Sequence, residues 1–327
     1  MLLLSKSDIQ KFYSLKECMS AVEKAFELFS AGEVEVPLRT QIVKHDQKSS
    51  FLCMPAFCEK KEASCVKILN MFPDNIKQNL PSINAQVLNI DANTGVINCI
   101  MDGNYVTQLR TGAASGVALK YLANENCQIG ALIGTGGQAA AQLEAMLIAR
   151  KLDEVRVSDI NYDRAKDFAA KMNEQLAEYG SKIVAAKDPN EAIEDADVII
   201  SVTTSKNPVY DGNKIKAGAT ICGVGSYQPQ MEETPVELLK RSSKIYFDSK
   251  SAVLAESGDI LIPLKNKEIK EDRFTGELGQ VINGSLRGRE SEDEIIFFET
   301  VGIAAQDLMT AKSIFEKSQA SNLGTNW

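Results

Sequence analysis

Three basic residues stand in apolar or small-residue company: Arg39 in VPLRTQ, Lys67 in CVKILN and Arg110 in TQLRTGAA. A cation in such surroundings needs an anionic partner, because the loss of its hydration is otherwise uncompensated. Singly, each is satisfied by a structural ion pair; together, three such cations suit a substrate carboxylate. The only histidine, His45, lies in the polar stretch KHDQKSS and reads as an exposed loop residue. A Ser-His or Cys-His nucleophile pair would have to use it, so hydrolase triads are excluded. The seven cysteines (Cys18, Cys53, Cys58, Cys65, Cys99, Cys127, Cys222) form no C-x-x-C pair and read as reduced, ordinary thiols. Cys53, Cys58 and Cys65 cluster, but His45 lies eight residues before them, an unusual spacing for zinc, and no metal is expected.

The strongest local signal is QIGALIGTGGQAAAQLEAMLIA, which sets Gly134, Gly136 and Ala139 in a G-x-G-x-x-A pattern between an apolar run and an alanine-rich one. The pattern alone is weak; its position between a strand and a helix, with a second strand ending in Asp159, makes it specific. Gly134 allows the tight turn, Gly136 removes a side chain that would block a pyrophosphate, and Ala139 lets the helix pack close to the strand. Unpaired N–H groups at the helix start then face the phosphates. Asp159, 25 positions after Gly134, is set to accept hydrogen bonds from the adenosine ribose and to repel a 2′-phosphate. NAD(H) is therefore favoured, with NADP(H) as the alternative because Arg164 is close enough in sequence to offset that charge. The competing reading is a glycine turn serving another nucleotide or S-adenosylmethionine.

Around these residues the elements follow from periodicity. Residues 14–32 read as an amphipathic helix with Ser14 as N-cap, Ala21, Val22, Ala25, Phe26 and Phe29 on one face, and Gly32 as the stop. SSFLCMPAF, ASCVKILNM, INAQVLNID and GVINCIMDG are short, apolar or β-branched, and separated by turn residues, which predicts a mostly antiparallel sheet in the first third of the chain. From Asn104, NYVTQLRTGAASGVALKYLA reads as a helix bridging two domains, with Gly112, Ala113, Ala114 and Gly116 letting another backbone approach. Thereafter QIGALI, EVRVSD, KIVAAK, DVIISV, ATICGV and KIYFDS alternate with helices, the pattern of a doubly wound parallel sheet. A last apolar helix, 300–316, carries Val301, Ala304, Ala305, Leu308, Met309 and Phe315 at helical spacing; periodicity does not say where it packs. No repeat of solenoid length is visible.

The bulk properties agree with two domains: 327 residues, 44% hydrophobic and 24% charged, exceed what one core usually supports and leave no disordered tract beyond the C-terminal tail. A net charge of -8 disfavours nucleic acid or an anionic membrane surface as the partner. The opening MLLLSKSDIQ is far short of a signal-peptide core and no later run approaches ~20 apolar residues, so a cytoplasmic location is expected.

VTQLRTGAASGVALKYLA, GTGGQA, SVTTS, GVGSYQPQMEE, LAESGDILIPL and ELGQVINGSLRGR, in that order from about Val36 to Leu308, resemble the ornithine cyclodeaminase/μ-crystallin family. The resemblance implies an α/β protein: a Rossmann domain over 113–299, and a smaller α+β substrate and dimerisation domain from 1–112 with 300–327. It implies a homodimer acting on an amino or imino acid. Arg39, Lys67 and Arg110 would hold the carboxylate, with Lys67 close to the reacting centre. Thr111, Gly134, Gly136, Gly137, Gln138, Ala139, Asp159, Arg164, Thr203, Thr204, Val224 and Gly225 would line the cofactor. Asp259, in AESGDI, is either a site carboxylate near the nicotinamide or a helix cap.

The sequence departs from true ornithine cyclodeaminases at three polar positions: their Asp after the strand end is Tyr227, a following Lys is Met231, and the Glu before Met54-Pro55 is Leu52. Without those groups a diamine is neither recognised nor deprotonated. The variant resembles the ketimine reductase-like members, in which hydride from NADH reaches the carbon of a 2-imino acid while Arg110 and Arg39 fix its carboxylate and Lys67, directly or through water, assists protonation. Amino-acid dehydrogenation is the same chemistry in reverse. Ornithine cyclisation is the runner-up, and a dinucleotide-binding carrier with little turnover is the alternative outside catalysis.

Overall fold

The computed structural model of the protein describes residues 1–45 and 48–327. The chain divides into two compact units, Met1–Arg110 with Ile303–Trp327, and Thr111–Gly302.

The first unit holds β1 (Leu2–Leu4), α1 (Lys6–Phe12), α2 (Leu15–Ser30), β2 (Thr40–Val43), β3 (Ser50–Cys58), β4 (Ala63–Met71), β5 (Ile83–Asp91) and β6 (Ile97–Asp102), and receives α11 (Ala304–Ser318) and β15 (Thr325–Asn326) from the end of the chain. Both N-terminal helices open on capping boxes, Ser5 with Asp8 and Ser14 with Glu17, which satisfy amides that a helix start leaves unpaired. The strands form one sheet in the order β15-β1-β6-β5-β4-β3-β2. Its pairs from β2 to β6 are antiparallel, as the sequence predicts; β1, β2 and β15 are additions, too short to announce themselves. Along β3 burial alternates: Leu52, Met54, Ala56 and Cys58 face in while Phe51, Cys53 and Phe57 face out. A one-residue slip would exchange those sets, so the register is strongly fixed. Helix α11 lies against β3, β4, β5 and α2, which answers where the last apolar helix packs.

Helix α3 (Gly103–Leu122) carries the chain across the boundary, which falls inside it after Arg110. The second unit then alternates β7 (Ile129–Ile133), α4 (Ala139–Ala149), β8 (Glu154–Ser158), α5 (Tyr162–Gln175), β9 (Lys182–Ala185), α6 (Pro189–Ile193), β10 (Val198–Ser201) and β11 (Thr220–Gly223). It continues through α7 (Val236–Arg241), β12 (Lys244–Phe247), α8 (Lys250–Glu256), α9 (Gly258–Lys265), β13 (Gly276–Glu277), α10 (Leu278–Ile282) and β14 (Ile296–Glu299). The order β13-β12-β14-β11-β10-β7-β8-β9, all parallel, is a doubly wound Rossmann-type sheet. The predicted strands are present, and β14, fully buried, is inserted between β11 and β12. Small residues in α3 do allow a close crossing: a side chain at Gly112 would come within 2.6 Å of the Ala141 carbonyl oxygen on α4.

Candidate active site

In the first unit, two of the three apolar-embedded cations meet one carboxylate. Lys67 lies on the inward face of β4, opposite Met54 of β3 and Val87 of β5, with 1% of its surface exposed. Its Nζ is 2.6 Å from Oδ2 of Asp307, in the first turn of α11. Arg110, at the unit boundary of α3, brings Nε to 3.3 Å from Oδ1 of the same carboxylate, and its Nη1 donates to Oε1 of Gln306 at 3.0 Å. Arg39 sits half-buried just before β2, and its charge is felt at Lys67.

Two full cations thus share one anion. Burial, and after it the Arg110 charge, push the Lys67 ammonium down to about 8 against the pull of Asp307. Such a lysine can give up a proton near neutrality. The surplus positive charge invites a second anion, and only one of the three ammonium N–H donors is committed to Asp307. Leu52, buried on the same face of β3 two residues from Met54, offers this cluster an apolar neighbour rather than a carboxylate. The thiols are bystanders: burial pushes Cys18, beside Thr310, up to about 12. His45 is exposed in a turn, and the Asp46–Gln47 part of its stretch lies outside the described residues.

Asp307 and Gln306 are not among the site residues expected from the sequence. The signal was there: an acid and an amide set into the apolar stripe of the last helix, in a chain whose cations lacked partners.

In the second unit the glycine turn leaves β7 as expected. Gly134 takes a φ of +98°, which a side chain rarely adopts, and an added Cβ would come within 2.8 Å of the Val202 carbonyl oxygen. At Gly136 and Gly137 an added Cβ would meet nothing within 4 Å, so no part of this unit requires glycine there. A ligand seated on the turn would. The first residue of the following helix, Ala139, is fully buried. Helix α4, long enough to have an N-terminal dipole, begins at that turn, so these residues fit a dinucleotide pyrophosphate. Gln138 holds the N-cap position without a side-chain bond, and the carbonyl of Thr111 accepts from Gln142 Nε2 at 3.1 Å.

Asp159 does more than the sequence suggests. Its Oδ2 accepts from the Thr135 amide at 3.0 Å, the Thr135 hydroxyl at 2.7 Å and Arg164 Nη2 at 2.6 Å, and its Oδ1 accepts from the Asn161 amide at 3.0 Å. Burial opposes its ionisation, but those donors prevail and hold the carboxyl below its usual range. The carboxylate anchors the glycine turn and keeps lone-pair capacity on Oδ1 for a ribose hydroxyl. Arg164, more than half exposed, flanks it.

Thr203 and Thr204 follow β10, and Val224 and Gly225 follow β11; the two strands are parallel neighbours with Ser201 beside Gly223. Asp259 departs from the helix-cap role expected of it. It is fully buried, and its Oδ1 accepts from the amides of Glu233 and Thr234 at 2.7 and 3.2 Å, so it does not cap its own helix; its Oδ2 has no hydrogen-bond partner among the described residues. Tyr227 and Met231 occupy the loop between; Met231 is buried.

Comparison with known proteins adds four findings. The chain is 34% identical over 324 residues to the Δ1-pyrroline-2-carboxylate reductase of Bacillus cereus (strain ZK / E33L), covering 99% of this chain and 98% of that one. The Thermococcus litoralis Δ1-pyrroline-2-carboxylate reductase, solved in complex with NADH and L-proline, matches with a TM-score of 0.94 at 41% identity over 100% of both chains. An archaeal alanine dehydrogenase dimer with bound NAD matches with a TM-score of 0.92 at 31% identity, covering 99% of this chain and 98% of that one. Residues 1–322 match the ornithine cyclodeaminase/mu-crystallin family, and the chain belongs to that family.

Proposed function

We propose that this chain is an NADH-dependent reductase of 2-imino acids, of the Δ1-pyrroline-2-carboxylate class, able to run the reverse amino-acid dehydrogenation. The observation that carries the reading is the buried cluster in which Lys67 and Arg110 share the single carboxylate of Asp307. A substrate carboxylate restores charge balance there. The activities of the relatives, pyrroline-carboxylate reduction and alanine dehydrogenation, point the same way.

Arg110 and Arg39 bind the substrate carboxylate, and Arg110 is held for this by Gln306 and Asp307. Lys67, as an ammonium, donates a proton to the imine nitrogen and is reprotonated from solvent; its lowered affinity for the proton makes it a better acid than an exposed lysine. Thr111, Gly134, Gly136, Gly137, Gln138 and Ala139 hold the dinucleotide at its pyrophosphate, Asp159 and Arg164 at its adenosine ribose, and Thr203, Thr204, Val224 and Gly225 beyond. When bound, the dinucleotide supplies the hydride that reduces the C=N carbon. Asp159 favours NAD(H) over NADP(H) through its negative charge. Leu52 supports a substrate without a distal ammonium, against ornithine cyclisation.

Dimer formation is part of the same reading. The outward face of the first unit's sheet carries a row across four strands, Pro55, Val66, Leu88 and Ile100, with Phe51, Phe57 and Ile68 exposed around it. Such a surface is what a second copy covers. A cytoplasmic location accords with seven cysteines that are all free. Among the described residues no helix is long and apolar enough to cross a membrane.

The test is NADH oxidation with Δ1-pyrroline-2-carboxylate, Δ1-piperideine-2-carboxylate, and 2-keto acids plus ammonia or methylamine, with ornithine plus NAD as the control. Turnover of a cyclic imine that is lost in Lys67→Ala supports the reading. Proline formed from ornithine, or tight NADH binding with no turnover on any imine, overturns it.

A further inference from the structure

The second unit contains four buried carboxyl groups that the proposed chemistry does not use; Asp248 is held apart by Ser249, Thr300 and Gly302, and the other three, Glu233, Asp259 and Glu299, influence one another. Glu233, 1% exposed, comes from the loop after β11 and turns back under it. Its Oε2 accepts from the Thr203 amide at 2.7 Å, and its Oε1 accepts from the amides of Gly225 at 2.7 Å and Val224 at 3.3 Å. One carboxylate therefore joins the turn leaving β10 to the turn leaving β11, at the carboxyl ends of adjacent parallel strands, where open α/β sheets bind their ligands.

The glycines report how tightly the parts are fitted. A side chain at Gly225 would lie 2.0 Å from the Thr203 carbonyl oxygen and 2.6 Å from Glu233 Oε2. One at Gly223 would lie 2.3 Å from Glu299 Oε2. Gly134, in turn, sits against the Val202 carbonyl. Three turns in series, after β7, β10 and β11, are thus in backbone contact, and Glu233 is the polar tie between the last two. The GVG at 223–225 therefore reads as room made for carboxylates and for a neighbouring turn, not as a phosphate loop.

Behind Glu233 the tie continues inward. Asp259 accepts the amides of Glu233 and Thr234, and its own amide donates to Ser226 Oγ at 3.1 Å. The Ser226 hydroxyl donates to the Met231 carbonyl at 2.8 Å, and Ser257 Oγ donates to Glu299 Oε1 at 2.5 Å. Of the three acids, Glu233 alone uses both oxygens on backbone amides and so is best provided to hold the negative charge; Asp259 Oδ2 and Glu299 Oε2 have no hydrogen-bond partner. Burial pushes all three carboxyls up, Asp259 to about 7.

We propose that Glu233 is the positioning residue of the dinucleotide site, tying the 203–204 and 224–225 turns into one preformed wall, with Asp259 holding Glu233 in place. The inference rests on the reading that this unit binds NADH. Glutamine at 233 has the same shape but can accept at only one end, so one of the two turns is released.

The experiment is direct fluorescence titration of NADH into full-length wild type and Glu233→Gln, with steady-state kinetics on both. The expected result is NADH binding weakened about 30-fold, the effect of one lost amide-to-carboxylate bond, with the KM for the imino acid unchanged. A folded Glu233→Gln that binds NADH as wild type does overturns the proposal, as does an equal rise in both KM values. Wild type that binds no NADH removes the functional reading and this proposal with it, a result distinct from the other two. If the variant does not fold, hydrogen exchange of wild type decides: the Thr203 and Gly225 amides are protected before NADH is added, and fast exchange there overturns the tie.

Discussion

Asp307→Asn removes the anion from the Lys67–Arg110 cluster while keeping the side chain's size. At 2.6 Å and an effective dielectric constant of about 20, the attraction lost at Lys67 is 332/(20 × 2.6), or roughly 6 kcal/mol. The ammonium, already down at about 8, then falls below neutrality and the lysine is neutral at pH 7. That escape limits the damage. With an ordinary value of 10.5, wild type at pH 7 carries a cost of about 3 kcal/mol for its lowered lysine, and forcing that lysine fully neutral adds one pH unit's worth, about 1.4 kcal/mol. The folded lysine binds its proton less tightly than the unfolded one, so in wild type this cost eases as pH rises from about 8 to about 10.5. Arg110 has no such escape, and losing its partner adds about 2 kcal/mol. We expect Asp307→Asn to be about 3 kcal/mol less stable by urea unfolding at pH 7. Imine reduction at that pH should fall about 100-fold, because a neutral amine donates no proton. Profiles of kcat/KM against pH separate this from simple unfolding. Wild-type activity declines as pH rises through about 8; that of the variant declines at a lower pH and recovers on acidification. A variant whose profile still breaks near 8 refutes the reasoning.

Other perturbations separate the parts. An added Cβ at Gly136 meets no protein atom within 4 Å, so Gly136→Ala should leave melting unchanged while NADH binding drops at least about 100-fold; unchanged binding in a titration removes this turn from the cofactor site. Asp159→Ser loosens Thr135 and Arg164, weakens NADH about tenfold and raises the NADPH-to-NADH ratio of kcat/KM; wild type that already prefers NADPH contradicts the role given to this carboxylate. Ile68→Asp, on the exposed sheet face, should give a folded monomer by sedimentation, and a persistent dimer would move the interface elsewhere. Asp259 binds its proton more tightly folded than unfolded, so its contribution is complete below about pH 4 and is lost as pH rises towards about 7, at about 1.4 kcal/mol per pH unit. Urea midpoints of Asp259→Asn should follow a flatter pH course; parallel curves would argue against a buried protonated acid.

Much of the frame is legible in the residues because it is local. Alternation in SSFLCMPAF and ASCVKILNM, and the strand-turn-helix around Gly134, each report on neighbours a few positions away. The partners of these elements are not local. Asp307 is separated from Lys67 by 240 positions, and nothing in the helix around it says which strand it will meet. Strand β14 is four residues, IFFE, whose burial depends on insertion between strands that precede it in the chain. Glu233 lies in a loop whose departures at Tyr227 and Met231 bear on substrate choice, while its bonds are to backbone amides that sequence does not display. The cap reading of Asp259 fails for the same reason: an acid after Ser-Gly at a helix start looks like a cap, and only the fold reveals Glu233 and Thr234 opposite it.

The discontinuity of the first unit bears on the order of assembly. During synthesis the cations at 67 and 110 emerge long before the carboxylate at 307, so the early sheet must exist for most of translation with its charged centre uncompensated. The intervening unit, continuous in sequence, faces no such delay. Loop closure over that span is entropically slow, which makes docking of the last helix the natural final event in folding, and a chain interrupted before Ala304 the form most exposed to chaperones and proteases.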